Sequence, residues 1–169
     1  DLHSFPTRRS SDLVVYNKEL DKWTSGAHAG TFRGNQLAMK AGTILLKRVS
    51  DKDFLKEVQR KGDFIRQEIK KLKDQVSIIG DIRGKGLMAG TEFINPKSNK
   101  DCIGAFEASG EIAGKVQKNC FENGLIIEKG GRNGAVMRCL CALNVCDDEL
   151  KIALDIFKNA VLKIDQEYR

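Results

Sequence analysis

Two apolar runs, Leu125-Ile126-Ile127 and Ala135 to Leu140, flank the glycine-rich segment Gly130-Gly131-Arg132-Asn133-Gly134. Asn-Gly between such runs is a strong hairpin signal, because the tight turn needs positive φ at both central residues. An earlier stretch repeats the pattern. Val76 to Glu92, rich in glycine and β-branched residues, reads as two strands turning at Gly84-Lys85-Gly86. Helical periodicity occupies the rest. Phe54, Val58, Ile65, Ile69 and Leu72 form one stripe, Ile112, Val116 and Cys120 a second, and Leu150, Leu154, Phe157, Val161 and Ile164 a third. Helix, strand pair, helix, strand pair, helix predicts a small α+β domain, an antiparallel sheet with helices on one face.

A further helix is expected from Asn35 to about Arg48, after a loop from Gly26 to Gly34. Its residues are small or apolar almost all round, which predicts a buried helix. Ser50 and Asp53 have capping-box spacing for the helix that follows. Val14-Val15-Tyr16 reads as the tail of a strand, and Lys18 to Lys22 as a polar turn. His3 to Leu13 (HSFPTRRSSDL) has neither helical nor strand periodicity and resembles the in-frame translation of a short-read sequencing adapter. Residues 1–13 are therefore expected to be non-native, and the natural protein to extend further upstream.

The formal net charge is +6, but the basic residues between Lys47 and Lys73 alternate with Asp51, Asp53, Glu57, Asp63 and Glu68. Mixed signs on a helix read as a solvated face. No aromatic residues interleave with them, as single-strand nucleic-acid binding would require, so no nucleic-acid partner is expected. No run is long and apolar enough for a membrane span. Five cysteines without an export signal read as reduced thiols, and a cytoplasmic location is expected. Cys139 and Cys141 have no partners at zinc spacing and read as core thiols; no metal site is expected. Gly84-Lys85-Gly86 is followed by strand residues, so it reads as a turn and not as a dinucleotide fingerprint.

Two places carry chemistry. Gly26 to Gly42 (GAHAGTFRGNQLAMKAG) brings a Gly-rich loop with Thr31 into a helix N-terminus. That arrangement suits a phosphate, although a loop-to-helix junction of this kind is more often plain capping. His28 in the same loop reads as a loop-bracing hydrogen-bond former. In Ala135 to Leu143 (AVMRCLCAL), alternation puts Val136, Arg138 and Leu140 on one face, and Met137, Cys139 and Cys141 on the other. Arg138 among such neighbours fits a structural ion pair, an edge-strand arginine in water, or a grip on an anion.

The string GAHAGTFRGNQLAMKAG, with VVYNKELDKW before it and IRGKGLMAGTEF and CFENGLIIEKGGRNGAVMR after it, resembles class III pyridoxal-phosphate-dependent aminotransferases. Within them it is similar to the diaminobutyrate–2-oxoglutarate subgroup, over essentially all of Val14 to Arg169. The resemblance implies the C-terminal part of a fold-type I transferase. It makes 14–48 a remnant of the large cofactor-binding domain with an interface loop and helix, and 49–169 the small domain. It implies that Thr31 binds the phosphate of pyridoxal 5'-phosphate across a homodimer, and that Arg138 grips the α-carboxylate of an amino-acid or oxo-acid substrate. The reaction implied transfers an amino group between L-2,4-diaminobutyrate and 2-oxoglutarate, giving L-aspartate 4-semialdehyde and L-glutamate. No lysine of Val14 to Arg169 matches the family's Schiff-base lysine, so the chain alone is expected to be inactive. Relatives follow the arginine with Pro-Pro-Leu, where this chain has Cys141-Ala142-Leu143, which loosens the backbone beyond Arg138. Open alternatives are an ornithine, acetylornithine or 4-aminobutyrate aminotransferase, or a non-catalytic interaction domain dimerising through the Asn35 helix.

Overall fold

A computed structural model describes residues 17–27, 30 and 34–169. The strand tail expected at Val14-Val15-Tyr16, and both His28 and Thr31, lie outside the described residues. The chain divides into two compact units, residues 1–55 and 56–169.

In the first unit, a 3-10 turn at Lys18–Leu20 is capped by Asn17, whose Oδ1 accepts from the Glu19 N–H at 3.1 Å. Helix α1 spans Gln36–Val49. The Asn35 side chain caps it, accepting from the Ala38 N–H at 3.0 Å, and Gly34 enters at φ +73°, where a glycine costs nothing. The expectation of a buried helix is corrected here. Ala38 is its buried residue, whereas Leu37, Ile44, Leu45 and Leu46 are all more than half exposed. Apolar composition fixed the helix's preference for burial but not the presence of a cover. The expected Ser50–Asp53 box is also replaced. Asp51 Oδ1 accepts from the N–H groups of Asp53 and Phe54, starting helix α2 (Lys52–Lys73), while the Ser50 hydroxyl donates back to the Leu46 carbonyl and closes α1.

The second unit holds the sheet. Strands β1 (Ile79–Lys85), β2 (Met88–Phe93), β3 (Glu128–Gly130) and β4 (Val136–Leu140) are antiparallel throughout, in the order β1-β2-β4-β3. Helix α3 (Gly110–Glu122) lies between the hairpins, and α4 (Asp147–Asp165) closes the chain. The first hairpin turns one step later than expected, because Lys85 still pairs with Met88 and Gly86-Leu87 make the turn. Leu125-Ile126-Ile127 is not a strand: it is irregular, Ile126 is 85% exposed, and the pairing starts only at Glu128. The hairpin forms as expected, but through a five-residue loop from Gly131 to Ala135, in which Asn133 and Gly134 take φ 56° and 64°.

One apolar cluster joins α2, α3 and α4 to a single face of the sheet. It includes Ile65, Ile69, Leu72, Phe93, Ile112, Val116, Met137 and the whole expected stripe of α4. Period-2 alternation sends Ala89, Thr91 and Phe93 inward and leaves Gly90 and Glu92 on the other side. The mixed charges of α2 pair locally, Arg60 with Glu57, Arg66 with Asp63 and Lys71 with Glu68. Arg60 and Glu68 also tie α2 to Asp147 and Lys158 of α4. Gly62 is where α2 crosses the first hairpin: a Cβ there would meet the Gly86 carbonyl oxygen at 2.0 Å. Buried Asp165 ends α4 and accepts from the Ser77 N–H, the Ser77 hydroxyl and Arg169. Burial pushes its carboxyl upward, but these hydrogen bonds outweigh it and hold Asp165 below the usual carboxylate range.

Two stability measurements check this packing. Gly62→Ala gains about 1 kcal/mol of helix propensity but overpacks the α2–hairpin crossing by about 1–3 kcal/mol or more. A net drop in the urea midpoint is expected, and an increase would contradict the close approach. The Asp165 contribution is present above the unfolded carboxylate pKa of about 3.9 and lost as pH falls through the lower folded value. The midpoint gap between wild type and Asp165→Asn is therefore expected to be widest at neutral pH and to close below about pH 4. A gap that widens with acid would contradict it.

Candidate functional site

The face of the sheet away from the helices carries one continuous row of paired positions: Arg83 against Gly90, Gly90 against Arg138, and Arg138 against Glu128. Glycine at the centre leaves the space between the two arginines without a side chain. Arg83 is already engaged on both sides, donating to Asp81 and Glu92 at 2.7 Å each. These carboxylates raise the Arg83 pKa, and the Arg83 guanidinium holds Asp81 below the usual carboxylate range.

Arg138 is held differently. Its Nη2 donates to Glu128 Oε1 at 2.5 Å, with the two side chains 41% and 49% exposed. The inner part of the guanidinium lies over Gly130, where a Cβ would come within 3.3 Å of Nη2 and 3.7 Å of Nε. Tucked in there, Nε is buried and has no hydrogen-bond partner among the described residues. An unpartnered buried N–H costs about 1–3 kcal/mol, so one unfilled donor beside one filled donor describes half of a bidentate carboxylate grip. Of the three readings open for Arg138, the ion pair is present but incomplete.

The remaining expected positions fall as follows. Thr31 and His28 lie outside the described residues. At the N-terminus of α1 the Ala38 N–H is already taken by Asn35. What the described residues do contain is an arginine with one donor filled and one unfilled. Among the described residues no group of three or more His, Cys, Asp or Glu side chains could hold a metal. No helix among them is long and apolar enough to cross a membrane. Cys139 and Cys141 pack against the core from the inner face, half-buried and free. Cys120 is fully buried, and burial pushes its thiol up to about 11.

Glu128, Gly130 and Gly90 went unnoticed in the sequence. Counting outward from a two-residue Asn133-Gly134 turn would place Lys129 opposite Arg138; the five-residue loop from Gly131 to Ala135 shifts the register by one and brings Glu128 there instead.

If Arg138 served folding, its replacement would be costly. Removal of a half-exposed ion pair costs under about 1 kcal/mol, and relief of the unpartnered Nε returns about 1–3 kcal/mol. Arg138→Met is therefore expected to leave the urea midpoint unchanged or raised. A loss above about 2 kcal/mol would make Arg138 a structural residue.

The family description Aminotransferase class-III matches residues 10–161. The chain is 38% identical over 150 residues to the diaminobutyrate–2-oxoglutarate aminotransferase of Haemophilus influenzae, covering 89% of this chain and 33% of that protein. It is 40% identical over 138 residues to the Rhizobium meliloti protein of the same name, covering 82% and 29%. The chain thus spans about a third of the length of the curated relatives it matches. Among solved structures, it is similar to the acetylornithine aminotransferase of Elizabethkingia anophelis, with a TM-score of 0.63 and 25% identity over 83% of this chain and 33% of that one. With its four-stranded antiparallel sheet and one-sided helical layer, the chain belongs to the class III aminotransferase family.

Proposed function

We propose that this chain is the C-terminal part of a pyridoxal-phosphate-dependent aminotransferase. The enzyme passes an amino group between L-2,4-diaminobutyrate and 2-oxoglutarate, giving L-aspartate 4-semialdehyde and L-glutamate. The observation that carries this reading is the half-filled guanidinium of Arg138 on the helix-free face. The names of the most similar relatives support the substrate pair.

When bound, the cofactor supplies the electron sink for moving an amino group between two carbon skeletons. The residues of this chain orient the substrate. In the absence of substrate, Glu128 occupies one donor of Arg138. An incoming α-carboxylate displaces it and takes Nε and Nη2 as two parallel hydrogen bonds, and Gly130 keeps the fork flat against the hairpin. Thr31 is the donor proposed to reach the cofactor phosphate from a second subunit of a homodimer, with residues 14–48 as its supporting segment and 49–169 as the small domain. The uncovered leucines of α1 support a cover from further protein, whether the large domain or a second subunit.

With no lysine matching the catalytic one, the chain alone is expected to form no glutamate from 2-oxoglutarate and diaminobutyrate in the presence of pyridoxal phosphate. Turnover would overturn that assignment. Calorimetric titration with 2-oxoglutarate tests the grip itself. Glu128→Gln is expected to tighten binding about fivefold by removing the competing carboxylate, and Arg138→Gln to abolish it. Equal affinity in wild type, Glu128→Gln and Arg138→Gln would overturn the substrate-binding role. The same uncovered α1 face also favours a second reading, an interaction domain that dimerises through α1. A monodisperse, well-folded dimer that ignores 2-oxoglutarate would favour that reading.

A further inference from the structure

The inner face of β4 holds a feature that the aminotransferase reading leaves unused. Cys139 and Cys141 are two residues apart, so strand alternation turns both thiols to the same side, opposite Arg138. Both are free and half-buried. Together they line a cavity of about 300 Å³ with Ile65, Val145 and Leu150. The two thiols are close enough for each to shift the other's ionisation. Lys61 stands near them, its Nζ donating to the Val145 carbonyl at 2.6 Å. The charged residues lining the same cavity are Glu128, Arg138 and Glu149.

We propose that Cys139-Leu140-Cys141 is a dithiol modification site that exchanges with small-molecule disulfides and closes reversibly to an intramolecular disulfide. The neighbouring Cys139 thiol, aided by the Lys61 charge, holds Cys141 below the usual thiol range, and Cys141 lies just past the last ladder pair of the sheet, so Cys141 is the attacking sulfur. The Cys141 neighbour, together with burial, pushes Cys139 up and keeps it protonated until the second step. The Cys141 thiolate attacks one sulfur of the disulfide, forming a mixed disulfide and expelling one thiolate, which takes up a proton. Cys139 then loses its proton, attacks the Cys141 sulfur and expels the second thiol. Two protein thiols are oxidised and one small-molecule disulfide is reduced to two thiols.

The backbone makes the closure feasible and reversible. Residues i and i+2 of an extended strand lie about 6.6 Å apart, near the outer limit of about 6.8 Å for a disulfide. The last ladder pair is Leu140 with Met88, so Cys141 lies just past the sheet, where the chain is free to shorten. A bridge closed at that limit is strained and readily reduced. Its pull falls on the residue next to Arg138, so oxidation would alter the pose of the carboxylate grip.

The test uses the full chain carrying Cys146→Ser, because Cys146 shares a tryptic peptide with the pair and serine is a good helix N-cap. After incubation with glutathione disulfide, mass spectrometry is expected to show the 139–151 peptide lighter by two hydrogens and free of glutathione. Dithiothreitol is expected to restore it. Adding Cys139→Ser is expected to stall the reaction as a glutathione adduct on Cys141. A peptide that remains a dithiol while exposed Cys102 reacts would overturn the proposal. So would a Cys139→Ser chain in which Cys141 stays unmodified.

Discussion

The pairing of β2 with β4 is the constraint on which the rest depends. Thr91 faces Met137 and Gly90 faces Arg138, and because side chains alternate with period two, that single register assigns every neighbour to a face. Inward go Ala89, Thr91, Phe93 and Met137, each almost fully buried under the helices. Outward go Gly90, Glu92 and Arg138. A slip of one residue would drive a guanidinium into the apolar cluster and push Met137 into water. The core and the Arg138 face are thus two sides of one decision, and the energy that fixes the position of Arg138 is the hydrophobic energy of the opposite face.

Arg138 is left under-satisfied by the second hairpin. Glu128 and Gly130 enter on β3 because the five-residue loop from Gly131 to Ala135 sets their register against β4. Glutamate offers Arg138 one partner, and glycine removes the side chain that would otherwise fill the fork's inner edge. A residue selected for stability would have its donors filled; Arg138 keeps one empty. The helical layer shows the contrasting pattern. There Asp165, although buried, has its oxygens engaged by Ser77 and Arg169.

Much of this was legible in the sequence, and the failures have physical causes. The stripe Leu150, Leu154, Phe157, Val161 and Ile164 is buried as its spacing required, and the face assignment of Arg138 followed from alternation alone. Leu125-Ile126-Ile127 was misleading because β-propensity reports a fit to a half-buried pleated surface, and the β3–β4 ladder stops at Glu128 with Ile126 85% exposed. Helix α1 was legible as a helix but not in its exposure, since periodicity says which face seeks burial and not what covers it. Ser50 and Asp51 are both good caps, and only the geometry of the α1–α2 junction selects between them. The role of Thr31 rests on resemblance, as that residue lies outside the described part of the chain.

The central claim is that Arg138 Nε waits for a carboxylate, and that hydrogen can be observed directly. In a nitrogen–proton correlation spectrum of the chain, the Arg138 Nε–Hε signal, assigned by its loss in Arg138→Lys, should move downfield on titration with 2-oxoglutarate. The uncharged diethyl ester should leave it still. A signal that ignores 2-oxoglutarate, or that shifts equally with the ester, would contradict the assignment of this face as a carboxylate site.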